Sequence, residues 1–171
     1  AQGKTKRLDE TAISIVEVTE KGWHVFDVIT GRWNVRETAL RILRAAQKYR
    51  PRVVGIEKGA LKNALMPYLS DNMRRLNVFP YITELTHGNQ KKYDRIVWAL
   101  QGRMEQGRLT FQEGQYVPKL FDQMLDFPNP MVHDDMLDSL AYIDQLARVN
   151  YSMDEDLGAS DWEPLDPVSG L

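Results

Sequence analysis

Two periodicities follow one another along this chain, and together they leave few folds open. Thr11-Ala12-Ile13-Ser14-Ile15-Val16-Glu17-Val18 is rich in β-branched residues, Glu20-Lys21-Gly22 offers a turn, and residues 23–29 alternate apolar and polar with period two. That pattern predicts a β-hairpin, stopped by Thr30-Gly31-Arg32. From Val35 the period becomes helical: Ala39, Leu40, Ile42, Leu43 and Ala46 share one stripe, and Pro51 terminates it. Residues 52–57 read as a short, almost uninterrupted apolar strand, the kind covered on both faces. Residues 61–76 predict a second helix that Pro67 threatens to kink, and 78–85 another strand, interrupted by Pro80. Residues 91–106 predict a third helix with Tyr93, Ile96, Val97, Leu100 and Met104 inward and Gly107 as C-cap. A short extended piece at Leu109-Thr110-Phe111, a helix over 118–125, a stiff Phe127-Pro128-Asn129-Pro130 loop and a helix over about 133–148 complete the reading. A hairpin followed by alternating strands and helices implies an α/β fold. Its mixed sheet is antiparallel at the hairpin and parallel afterwards, with helices on both faces. Sites in such sheets gather where strand ends face a crevice, and Glu57 closes one such strand.

A chain of 171 residues, 43% hydrophobic and 27% charged, suits one domain with a sizeable core. No apolar run approaches the roughly 18–20 residues of a membrane-spanning helix, and no signal-peptide pattern opens the chain. The absence of cysteine excludes disulfides, thiolate zinc sites and cysteine nucleophiles, and it fits a reducing compartment. Histidines at only 24, 87 and 133 leave little for a histidine-built zinc site. The net charge of −2 conceals an asymmetry. Residues 151–171 hold six carboxylates and no Lys or Arg, which leaves residues 1–150 with a net charge of +4. We therefore expect a modestly basic domain over 1–150, suited to an anionic partner, and an acidic, mobile tail over 151–171.

The densest chemistry is His133-Asp134-Asp135-Met136-Leu137-Asp138-Ser139-Leu140-Ala141-Tyr142, with three carboxylates in five residues. Each carboxylate raises the pKa of its neighbours, and a divalent ion removes that penalty. Helix capping and the helix dipole would explain one aspartate at a helix start, but hardly three. Glu57 from a strand end and acids from a distant helix can meet around Mg²⁺ or Mn²⁺, which take oxygen ligands. Such a site suits metal-assisted phosphodiester chemistry. Asp134 and Asp135 flank the apolar stripe Met136, Leu140, Ile143 and Ala147 on opposite sides, so either could face the crevice. Lys58 and Lys62 follow Glu57, and Lys91, Lys92 and Arg95 open one helix. These cations suit salt-sensitive, sequence-independent phosphate binding, although a lysine pair at a helix start is commonly a solvated face. The tryptophans at 23, 33, 98 and 162 read as core or edge packing. No Gly-x-x-x-x-Gly-Lys-Ser/Thr loop occurs.

In their order over residues 9–148, these pieces resemble the nuclease domain of the large terminase subunit of tailed bacteriophages, which is ribonuclease H-like. Asp9-Glu10-Thr11-Ala12-Ile13-Ser14-Ile15-Val16 resembles its acid-x-Thr-Ala strand, and Val53-Val54-Gly55-Ile56-Glu57 its strand bearing the second catalytic acid. Asn89-Gln90-Lys91-Lys92-Tyr93-Asp94-Arg95-Ile96 with Glu105-Gln106-Gly107-Arg108-Leu109 resembles its basic helix and Gly-turn, and the run from His133 its last motif. The resemblance implies a metal-dependent endonuclease that cuts concatemeric double-stranded DNA at packaging initiation and termination in the host cell cytoplasm. Its partners would be the terminase ATPase domain, the small terminase subunit and the portal. Glu57 and Asp134 or Asp135 would be direct ligands of two Mg²⁺ or Mn²⁺ ions. Asp138 would be a ligand or act through one, and His133 would bond a neighbouring acid. Lys58, Lys62, Lys91, Lys92 and Arg95 would meet DNA. The family also has a first strand, carrying a central aspartate, before the acid-x-Thr-Ala element. This sequence opens in what resembles the following loop, so either that strand lies upstream of Ala1 or it is absent and the metal site is incomplete. A junction resolvase, or a module that binds DNA or the portal without catalysis, are the competing expectations.

Overall fold

The computed structural model describes residues 10–148, so the expected tail over 151–171 lies outside the described residues. The hairpin forms as β1 (Thr11–Thr19) and β2 (Gly22–Gly31), paired antiparallel from Thr11 opposite Gly31 to Thr19 opposite Gly22. Phe26 is the extra residue where the register shifts between Ile15 and Val16, a bulge that bends β2. Gly22 is required at the turn. Its φ is +140°, and a Cβ there would lie 2.2 Å from the Arg108 carbonyl oxygen.

Helix α1 (Val35–Tyr49) starts where the Asn34 side chain accepts the Glu37 N–H at 2.9 Å and ends at Arg50 in the left-handed region. Strand β3 (Val54–Glu57) leads to α2 (Ala60–Leu76), which runs through Pro67 without a break. Pro67 lies on the exposed face, where a carbonyl that loses its partner turns to water. Strand β4 (Ile82–Leu85) is shorter than the sequence suggested, because Pro80 has no N–H to offer a ladder. Helix α3 (Lys92–Glu105) buries Arg95, Ile96, Ala99 and Leu100. The expected inward Tyr93 and Met104 are instead exposed, as is Trp98 at 69%. Strand β5 (Leu109–Phe111), α4 (Tyr116–Asp126) and α5 (Asp135–Ala141) follow. After a turn at Tyr142, residues 143–148 are again helical. No described helix is long and apolar enough to cross a membrane.

The described strands form two sheets rather than one: a mixed three-stranded sheet in the order β1-β2-β5, with β5 parallel on the free side of β2, and a parallel pair of β3 and β4. Helices cover both faces. Ile13 packs into a core with α1, α2 and β3, whereas Val16 and Val18, at the alternate positions of β1, pack into a core with α3, α4 and α5. Among the described residues, β1 and β3 each keep one edge without a strand partner. Both edges line one cleft of about 800 Å³. The Val54 and Lys58 amides donate to Tyr81 and Leu85 across the β3–β4 ladder, so strand alternation turns the Gly55 and Glu57 amides toward that cleft. Ser14 Oγ donates to Ser139 Oγ at 2.9 Å and ties β1 to α5 along the cleft wall.

Candidate functional site

The phase of α5 is set by its apolar side. Met136, Leu137, Leu140 and Ala141 are buried, and the Met136 N–H donates to the buried Gln123 of α4 at 3.1 Å. With those positions fixed, the three aspartates divide between two directions. Asp134 makes no side-chain capping bond to the helix. It accepts instead from Lys92 Nζ at 2.5 Å, and the same ammonium lies 3.6 Å from Asp138 Oδ2. Arg95 donates through Nε at 3.1 Å and Nη2 at 2.5 Å to Asp138 Oδ1, while its guanidinium rests 4.5 Å from the Tyr142 ring centre. Burial would lower the Lys92 pKa, but the hydrogen bond to Asp134 and the charges of Asp138, Asp134 and Asp135 hold it raised.

Asp135 turns the other way and lines the cleft, where Asp134 does not. One ligand atom from each of Glu10, His133 and Asp135 falls within 4.8 Å of the others. His133 Nδ1 is 3.6 Å from Asp135 Oδ2. Burial raises the Asp135 carboxyl above the usual aspartate value, against the pull of Lys92 and His133. The Glu10 carboxyl is lowered, chiefly by its hydrogen bond from Lys119. Lys119 is itself held by Thr30 Oγ1 at 3.2 Å. Two neighbouring carboxyls are thus driven in opposite directions. Two oxygen donors and one nitrogen donor at this spacing could hold a hard divalent cation.

Glu57, at the end of β3, lines the same cleft as Asp135, Asp138 and Tyr142. Its carboxylate meets His87 Nε2, and His87 Nδ1 lies 2.6 Å from the Tyr142 hydroxyl and 3.4 Å from Arg95 Nη1. Burial, with the nearby charge of Glu57, pushes the Tyr142 pKa up to about 12. A strand end and a distant helix therefore both line one cleft.

The expected DNA-facing cations separate. Lys58 and Lys91 are exposed and form no ion pair among the described residues. Lys62 pairs with Glu84, and Lys92 with Asp134. Arg95 is 6% exposed and its guanidinium faces Asp138, so the structure corrects its expected role as a surface contact: a buried guanidinium cannot reach a DNA phosphate. Asp138 likewise directs its oxygens to α3 cations. Sequence reasoning missed Glu10 and His87. Glu10 stands inside the acid-x-Thr-Ala run, next to Asp9, and His87 follows a strand end facing the crevice; both positions were readable signals.

A family model described as the terminase RNaseH-like domain matches residues 1–144. No curated protein shows a significant match. Among solved structures, RuvC of Thermus thermophilus is similar with a TM-score of 0.38 and 11% identity, over 78% of this chain and 90% of that one. The matched span takes in the hairpin, Glu57 and the acid-rich start of α5, and the chain belongs to the terminase RNaseH-like domain family.

Proposed function

We propose that this domain is a metal-dependent endonuclease that cuts concatemeric double-stranded DNA during viral genome packaging. The observation that carries the reading is that Glu57, Asp135 and Glu10, from three separate segments, line one cleft, with Glu10 and Asp135 close together. The donor set fits Mg²⁺ or Mn²⁺: carboxylate oxygens dominate, and the half-buried Asp135 carboxyl, whose charged form burial disfavours, would gain from a bound cation. Glu10, Asp135 and His133 would hold one ion, and Glu57 offers a carboxylate from the other wall for a second. Bound there, such ions activate water and neutralise charge on the phosphate. The chain's own residues prepare the cleft. Lys119 fixes Glu10, Lys92 and Arg95 neutralise Asp134 and Asp138, and Lys58 and Lys91 face solvent where a phosphate backbone would pass. In this role the domain would work in the host cell cytoplasm beside the terminase ATPase domain, the small subunit and the portal.

One observation favours a second reading, a module that binds DNA or the portal without cutting: Asp134 and Asp138 already meet Lys92 and Arg95, which leaves fewer free carboxylates for ions. Linearisation of supercoiled plasmid with Mn²⁺ separates the two. We expect Glu57→Ala and Asp135→Asn each to reduce cutting by more than about 100-fold, the scale of losing a metal-site group, and Asp134→Asn to reduce it far less. Binding without cutting by the unmodified chain supports the second reading. Equal damage from the two aspartate changes contradicts our assignment of Asp135. Preference for branched over linear duplex would point to a junction resolvase.

A further inference from the structure

We propose that the outward side of α1, built from Arg41, Arg44 and Lys48, carries the DNA duplex that flanks the cleft, through contacts to its phosphates. For the polymer it names, this rests on the nuclease reading above; what it adds is the surface along which that polymer lies.

The positive charge of the chain is concentrated in one stretch. Residues 32–52 hold seven Lys or Arg and a single acid, Glu37, so their net charge of +6 exceeds the +4 of residues 1–150 as a whole. The phase of α1 decides where this surplus goes. Thr38, Ala39, Ile42, Leu43 and Ala46 are buried, which turns Arg41, Arg44 and Lys48 outward on successive turns, three or four residues apart. Arg44 and Lys48 are exposed, and Arg41 is half-exposed. From Arg41 to Lys48 the helix rises about 10 Å, room for about three phosphates at the roughly 3.4 Å axial spacing of one DNA strand.

These cations are held without being neutralised. The Arg41 guanidinium lies 5.2 Å from the Trp33 ring centre, and Lys48 Nζ lies 4.8 Å from that of Tyr49. A ring face restrains a long side chain and leaves its charge intact. Acids do less here. Glu37 meets Arg41 at 3.1 Å in an exposed i,i+4 pair, a contact of small energy. Arg44 and Lys48 form no ion pair among the described residues. Lys62 of α2 and Lys92 of α3, by contrast, are met by Glu84 and Asp134.

The row of cations also borders the candidate metal site. Thr11 pairs with Gly31, and Lys119 bonds both Glu10 and Thr30, so the chain approaches α1 beside Glu10. From there α1 runs along the cleft and lines it with Thr38, Ile42, Ala45 and Tyr49. Ala45 is one turn from both Arg41 and Lys48, which puts the cations on the rim. A phosphate chain held there leads toward Glu10 and Asp135. An acid-poor row of cations at regular spacing suits a polyanion of regular charge, and duplex DNA is one. Residues 151–171, with six carboxylates, are the rival occupant.

Anisotropy of a short fluorescent duplex, titrated in chelator at several salt concentrations, reads this surface without any cutting. We expect the triple variant Arg41→Gln, Arg44→Gln, Lys48→Gln to lose about 2.7 from the slope of log K against log salt, about 0.9 for each contact, at unchanged melting temperature. The charge-keeping pair Arg41→Lys, Arg44→Lys should hold the slope of the unmodified chain. Because the chain has no cysteine, Arg44→Cys takes a benzophenone label at that position alone. We expect it to crosslink duplex several-fold more than the same label at Leu125→Cys, an exposed position outside the cleft lining. An unchanged slope in the triple variant, or equal crosslinking from the two labels, overturns the proposal. Tighter DNA binding by the triple variant overturns it too, since residues 151–171 would then be what covers these cations. Failure of the nuclease reading looks different: plasmid cutting that is absent, or untouched by Glu57→Ala, leaves the slopes and crosslinks to judge α1.

Discussion

The two sides of α5 carry the same kind of residue and treat it in opposite ways. On the side facing α3, Asp134 and Asp138 lie against Lys92 and Arg95, and every negative charge meets a cation from the same neighbouring helix. On the side facing β1, Asp135 lies with Glu10 and His133 and opens onto the cleft. The reason for the difference lies in α3. Arg95 falls on the buried side of that helix with Ile96 and Ala99, and a buried guanidinium is tolerated only with a carboxylate close by. Asp138 is that carboxylate. An acid-rich run in a sequence can therefore be two things at once, a charge lock and an open acid group, interleaved within little more than one helical turn.

The largest test of this contrast acts on the lock. Arg95→Met strands Asp138 without its main partner, and we expect a loss of about 3 kcal/mol in urea unfolding, the scale seen when one member of a buried pair is removed. A loss below about 1 kcal/mol would mean that the α3 side is no more a lock than an ordinary surface pair.

A smaller test uses pH on the open side, in chelator so that no divalent ion intervenes. The folded pKa of Glu10 is lowered, so its carboxylate contributes stability that is present above the unfolded value and disappears as pH falls through the folded one. The folded pKa of Asp135 is raised, so its charged form weakens the fold as pH rises through that folded value. At neutral pH we expect Glu10→Gln to lower the melting temperature and Asp135→Asn to raise it, each by the equivalent of less than about 1 kcal/mol. Both differences should fade in acid. Shifts of the same sign in the two variants would remove the asymmetry between these neighbours.

The smallest effect concerns cations that form no ion pair among the described residues. Lys58→Ala and Lys91→Ala should leave folding untouched, and each should reduce the slope of log K against log salt for duplex DNA by about 0.9. Lys62→Ala, whose ammonium already meets Glu84, should change that slope less. Equal slopes for all three variants would show that pairing within the chain does not decide which lysines meet DNA.

Much of the fold was readable before any coordinates. The hairpin, α1 and the apolar strand ending in Glu57 formed where the periodicities placed them. The strand before Leu85 lost residues 78–81, because a proline forfeits the ladder bond that would have extended it. The inward side of α3 was misjudged at Tyr93 and Met104: aromatic and long apolar residues look like core on a helical wheel, but Arg95 and Ala99 took those places. At the site, Glu57 and the acid cluster were visible, whereas Glu10 and His87 were not singled out.

By itself the sequence determined the elements, their order and the presence of an acid-rich helix start, since period, capping and turn chemistry act over a few residues. Tertiary structure alone chose Asp135 over Asp134 for the cleft, gave Asp138 to Arg95 and brought His87 to Glu57. Each of those outcomes depends on which helix packs beside which strand, and no local pattern encodes the neighbour that a side chain will meet from tens of residues away.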